Sequence, residues 1–206
     1  MFHSPEHALY VAMLVQQWRI EPRNATAAIC EQLRRNKLGE AGAAGQLPDM
    51  TPHDWHAQAV MTERTARRVL GSSSLEWAAI FASIGPADRT VDITAPGYDE
   101  RGEFGEVTHH VNEFALRVSM LADHVRPVAN MRDDMALDLV VQRQIGRGQH
   151  IKQADIAQTF GLSERQYFRV LGRIREPLRD LLSRAYRRLD DEFERTGIVG
   201  QLAECQ

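Results

Sequence analysis

Residues Gln153 to Val170 read QADIAQTFGLSERQYFRV. Two short helices packed across a tight turn need a small residue, then a glycine four positions on, then a capping residue. Ala157 is the small residue, which lets the two helices approach. Gly161 suits the left-handed backbone that the turn demands. Leu162 fills the space after the turn, and Ser163 caps the second helix. Ile156, Phe160, Tyr167 and Val170 supply further apolar contacts. The pattern predicts a helix-turn-helix whose second helix enters the DNA major groove with its N-terminal half.

With Ala157, Leu162, Tyr167 and Val170 inward, Glu164, Arg165, Gln166, Phe168, Arg169 and Arg173 point outward. Arginine reads guanine through two parallel hydrogen bonds, and glutamine reads adenine in the same way. Arg165, Gln166 and Arg169 are therefore the expected base readers. Arg147, Lys152, Gln153, Ser163 and Arg173 are expected to hold the DNA backbone. Phe168 either lies against a sugar or thymine methyl or joins the core.

Proline inside a helix loses a hydrogen bond and crowds the preceding turn, so Pro177 should end the second helix near Glu176. A last helix should then run from Pro177 to Arg195, with Leu178, Leu181, Leu182, Tyr186, Leu189 and Phe193 as its apolar stripe. That stripe packs on its own domain or pairs two copies in a homodimer; a dimer would imply palindromic operators.

Outward from this segment the chain reads mostly helical. Ser4-Pro5-Glu6 is a start signal for a helix carrying Leu9, Ala12, Met13 and Trp18. Asn24 can cap a second helix that includes Cys30. Residues 39–50, GEAGAAGQLPDM, read as a linker or long loop. Thr51 caps a helix running to Gly71, and Ser74 caps another from Leu75 to Ile84. Residues 86–105 are rich in proline and glycine, with a β-like run at Thr90 to Thr94, and predict a mobile loop or small hairpin. Helical spacing of Val107, Val111, Phe114, Val118 and Leu121 predicts a helix closed by Pro127, and Met131 to Ile145 predicts the next. The expected fold is mainly α. Residues 1–128 form a helical N-terminal and central region, and residues 129–206 form a helix-turn-helix DNA-binding domain.

The formal net charge of −3 conceals an asymmetry. Residues 143–188 hold eleven basic and four acidic groups, a balance of +7. Residues 1–142 carry −6 and residues 189–206 carry −4. The basic block coincides with the helix-turn-helix, where a phosphate-binding surface belongs.

Other chemistries find little support. His3/His7, His53/His56 and His109/His110 lack the companion ligands that a metal site needs. Cys30 and Cys205 provide neither a disulfide framework nor zinc spacing. Gly146-Arg147-Gly148 lacks the strand context of a phosphate loop. Trp18, Trp55 and Trp77 fall on apolar helix faces. No segment has the length and apolarity of a membrane span, and the N-terminus lacks a signal-peptide pattern. The expectation is a cytoplasmic protein that is not an enzyme and needs no cofactor or metal.

From Arg132-Asp133-Asp134 through ADIAQTFGLSERQ (Ala154 to Gln166) to the long last helix, the chain resembles phage late-gene antitermination proteins of the Q type. Those end in a module like region 4 of sigma factors. The resemblance covers about residues 130–195, and TPHDWHAQAVMTERTARRVL (Thr51 to Leu70) is similar to a segment of prophage proteins. It implies binding to a DNA element near a late promoter. It also implies engagement of a promoter-paused RNA polymerase, with or without its sigma factor. The acidic N-terminal part would face the polymerase, with the 86–105 loop as contact element. The alternative is a conventional operator-binding repressor or activator. A third reading keeps the helix-turn-helix for packing only; the +7 block with outward Arg165 and Arg169 argues against it.

Overall fold

The structure, a computed structural model, describes residues 2–17, 52–98, 101–146 and 152–199. The helix expected after Asn24, the 39–50 linker, Trp18, Cys30, Thr51, Arg147 and Cys205 lie outside these residues. Among the described residues there are seven helices and one two-stranded sheet. The helices are α1 (Pro5–Gln17), α2 (Pro52–Leu70), α3 (Leu75–Ile84), α4 (Glu113–Ala129), α5 (Asp134–Gln144), α6 (Gln153–Thr159) and α7 (Glu164–Arg195); the strands are β1 (Thr90–Tyr98) and β2 (Phe104–Asn112). No described helix is long and apolar enough to cross a membrane.

Contacts group the chain into two compact units: residues 1–77 with 184–206, and residues 78–183. The units do not follow a division at 128/129, because residues 78–183 group across it.

In the first unit α1 packs on α2. Ser4 starts α1, its Oγ accepting the His7 N–H at 3.2 Å. Val11, Ala12 and Val15 of α1 meet Trp55 and Ala59 of α2 in one apolar cluster, edged by Phe2 and Tyr10. Each buried valine there contributes about 1.5–3 kcal/mol, and each alanine less. Phe2 also forms a parallel bridge with Val199. The end of α7 belongs here too, and Glu192 takes ion pairs from Arg68 and Arg195, both at 2.7 Å.

The second unit begins at Ala78, inside α3. Gly85 follows that helix with its N–H donating to Phe81 O at 2.7 Å. A Cβ there would stand 2.5 Å from that oxygen, so only glycine fits. The hairpin then forms with Thr90 opposite Asn112 and Tyr98 opposite Phe104. Its register sorts the side chains by period two. Val91, Ile93 and Ala95 lie half-buried on one face, and Asp92, Thr94 and Tyr98 are exposed on the other. Of the two expectations for residues 86–105, the small hairpin is observed, and β1 runs on through Pro96 and Gly97.

Two further expectations are corrected here. Val107 and Val111 belong to β2, not to a helix. A spacing of four fits both a helical face and one face of a strand, and the pairing of Val107 with Ala95 and Val111 with Val91 decides for the strand. Helix α4 starts instead at Glu113, where the Asn112 side chain accepts the Ala115 N–H at 2.8 Å. Likewise Met131, Arg132 and Asp133 precede α5, with Asp133 as its N-cap.

The largest correction concerns Pro177. Helix α7 is continuous from Glu164 to Arg195, with Pro177 inside it. The buried residues Tyr167, Val170, Ile174, Leu178, Leu181 and Ala185 keep one helical phase across the proline. Their shared apolar face offsets a proline cost of about 3 kcal/mol.

Candidate nucleic-acid interface

The junction between α6 and α7 is built by consecutive local signals. Gly161 has φ +62, in the left-handed region. The Leu162 N–H donates to Ala157 O at 2.8 Å, and the Gly161 N–H to Gln158 O at 3.4 Å. This pair of bonds closes a helix C-terminus in a Schellman arrangement. The chain then restarts at once. Ser163 Oγ accepts the Gln166 N–H at 3.3 Å, while Gln166 Oε1 accepts the Ser163 N–H at 2.8 Å. That is a reciprocal capping box. Ile156, Tyr167 and Val170 are buried as expected, whereas Ala157, Phe160 and Leu162 are half-buried. The Tyr167 hydroxyl has no hydrogen-bond partner among the described residues, and burial raises its pKa.

The sequence-derived contact residues separate into groups. Lys152, Ser163, Arg165, Gln166, Phe168, Arg169 and Arg173 are all exposed, and Gln153 is half-buried. Arg165 and Phe168 stand on the outer side of α7, and the Phe168 ring meets Tyr167 edge-on at 5.9 Å. Phe168 is 49% exposed, which removes it from the core. Gln166, Arg169 and Arg173 line a recess with residues 129–133 of the turn between α4 and α5. Gln166 is further committed by its cap. Its amide oxygen already accepts from the Ser163 N–H and hydroxyl, both at 2.8 Å.

Two features escaped the sequence reading. The first is Arg132, which faces the same recess as Arg169 and Arg173. It lies far from the helix pair in sequence, so no local pattern signals it. The second is a buried ionic cluster at the hairpin base. Glu113 is fully buried and pairs with Arg117 at 2.9 Å and Arg89 at 3.1 Å. Glu113 and Arg117 sit at i, i+4, which was a visible signal.

The hairpin presents a different surface. Tyr98 and Phe104 face each other across the strands, ring centroids 5.2 Å apart, and are 72% and 68% exposed. His110 and Asp92 pair across the same outer face at 2.5 Å. His3 and His7 stack with centroids 6.1 Å apart. Among the described residues no group of three or more His, Cys, Asp or Glu could hold a metal ion. Trp55 and Trp77 are buried in the first unit.

Neither a protein-family model nor a curated protein matches this chain.

Proposed function

We propose that this chain is a sequence-specific DNA-binding transcription regulator, and that it acts as an antitermination factor on paused RNA polymerase. The observation that supports it is the cationic surface at the start of α7. Lys152, Arg165, Arg169 and Arg173 are exposed and take no ion-pair partner among the described residues. They surround a helix restarted after a turn of four residues, 160–163, as a helix-turn-helix requires.

In this reading α6 crosses the DNA backbone and the first turns of α7 enter the major groove. Arg165 and Arg169 offer guanidinium forks to guanine. Lys152, Gln153, Ser163, Phe168 and Arg173 rest on sugar and phosphate. The hairpin serves the polymerase. Its exposed Tyr98–Phe104 pair is an aromatic tip with no role in the core, of the residue types enriched where proteins meet.

The test is transcription in vitro across a terminator, with the native upstream region present or replaced. Read-through that depends on the native region supports antitermination; loss of initiation assigns an operator-binding repressor instead. Replacing Arg165 and Arg169 by alanine should weaken specific DNA binding by about 1–3 kcal/mol per base contact. Unchanged binding removes the DNA assignment. Removing all of residues 86–105 would also strip Arg89 from the Glu113 cluster. The double change Tyr98→Ala and Phe104→Ala is therefore the cleaner probe of the polymerase contact: it should abolish read-through and spare DNA binding.

A further inference from the structure

The turn between α4 and α5 and the first half of α7 enclose a recess of about 500 Å³. Its apolar lining comes from Ala129, Met131, Leu162 and Val170. Three guanidiniums share the recess: Arg132 from the turn, and Arg169 and Arg173 from α7. All three are exposed, and none has an ion-pair partner among the described residues. The one acid in the lining, Asp133, is engaged as the cap of α5, accepting the Ala136 N–H at 2.9 Å. Asn130 adopts φ 53, a left-handed conformation that asparagine tolerates, and so reverses the chain just before Arg132.

We infer that this recess is a seat for a nucleotide phosphate ester, with Arg132 as a binding residue alongside Arg169 and Arg173. Guanidinium forks match phosphate oxygens in pairs and stay charged at any working pH. The apolar lining accepts the sugar or base that such an ester carries. The volume lies within the range of small-ligand sites. A nucleotide reaches the recess either as part of a DNA strand or free in solution. The first source rests on the DNA-binding reading; the second does not. In both, Arg169 holds phosphate in place of a guanine, and base reading from α7 then falls to Arg165, the guanidinium outside the recess.

The experiment uses the full chain and two probes, adenosine monophosphate and a mixed-sequence DNA duplex, in calorimetric titrations at several salt concentrations. Arg132→Ala is compared with Arg64→Ala, an exposed arginine of α2 that removes the same charge elsewhere. Arg132→Ala should weaken binding of the seated probe about tenfold. For the duplex it should also reduce the slope of log affinity against log salt by about 0.9. Arg64→Ala should change neither. An effect on the duplex alone assigns the seat to a DNA strand. Nucleotide binding sensitive to Arg132, with no duplex binding, assigns a free nucleotide and defeats the DNA reading while the seat stands. If Arg132→Ala behaves like Arg64→Ala with both probes, the inference is overturned, and intact duplex binding would then leave the DNA reading in place.

Discussion

Gln166 closes the start of α7 onto Ser163: its amide oxygen lies 2.8 Å from both the backbone nitrogen and the hydroxyl of that residue. Both acceptor positions of the oxygen are used, so Gln166 cannot accept from an adenine amine without releasing the cap. Gln166→Ala should therefore act on stability, lowering it by about 1 kcal/mol in urea denaturation. Gln166→Glu keeps the acceptor and should retain most of that stability. A shift in base preference at constant stability would return Gln166 to base reading.

The buried cluster at the hairpin base is a larger commitment. Glu113 is inaccessible to solvent, Arg117 is 6% exposed, and Arg117 Nε has no partner among the described residues. The same glutamate donates its backbone N–H to Arg89 O at 2.8 Å, tying hairpin to helix. Glu113→Ala leaves two guanidiniums facing an uncompensated site and should cost about 3–5 kcal/mol. Replacing Glu113 and Arg117 together by leucine and methionine should be milder, because the buried guanidinium goes with the carboxylate and the one charge that loses this partner, Arg89, is 28% exposed. Equal losses in the single and double variants, measured by chemical denaturation, would show that volume rather than charge governs the site.

These residues also mark what the sequence made legible. Capping chemistry is local, so Ser4, Ser74, Gly161 and Ser163 announced helix ends that the structure bears out. Pro177 is equally local, yet its signal was overruled by an apolar face that stays in phase on both sides. The S-x-x-Q of the capping box was visible at Ser163 and Gln166, but the same glutamine also fits an adenine reader. The Arg132 recess depends on bringing the turn after α4 against α7, and such a long-range approach leaves no local pattern.

His7 provides a pH signature for the first unit. It is half-buried beside His3, Nε2 has no partner among the described residues, and Phe2 meets its ring edge-on at 5.7 Å. Burial, and then the nearby His3, hold its pKa below the ordinary 6.5. Below 6.5 the unfolded chain binds this proton more readily than the folded one. Stability should therefore be unaffected by His7 above that pH, and should fall as the pH drops from 6.5 toward the depressed folded value. His7→Phe keeps the edge-on contact and removes the titration. Its unfolding midpoint should lose part of the acid-side decline; an unchanged pH profile would exclude His7 as a contributor.

Gly172 sits inside α7 on its exposed side, and a Cβ built there meets nothing within 4 Å. A glycine in a helix interior costs about 1 kcal/mol relative to alanine. Nothing among the described residues compensates that cost, so Gly172→Ala should raise stability by about that amount. Its helical neighbours on this side are Phe168, Arg169, Arg175 and Glu176, which include one of the arginines proposed to hold DNA. A missing side chain lets a helix backbone approach its partner closely. If α7 lies in the groove at this point, the added methyl intrudes there, and the variant should melt higher yet bind DNA more weakly. Higher stability with unchanged affinity would place the contact nearer to Arg165, in the first turn of the helix.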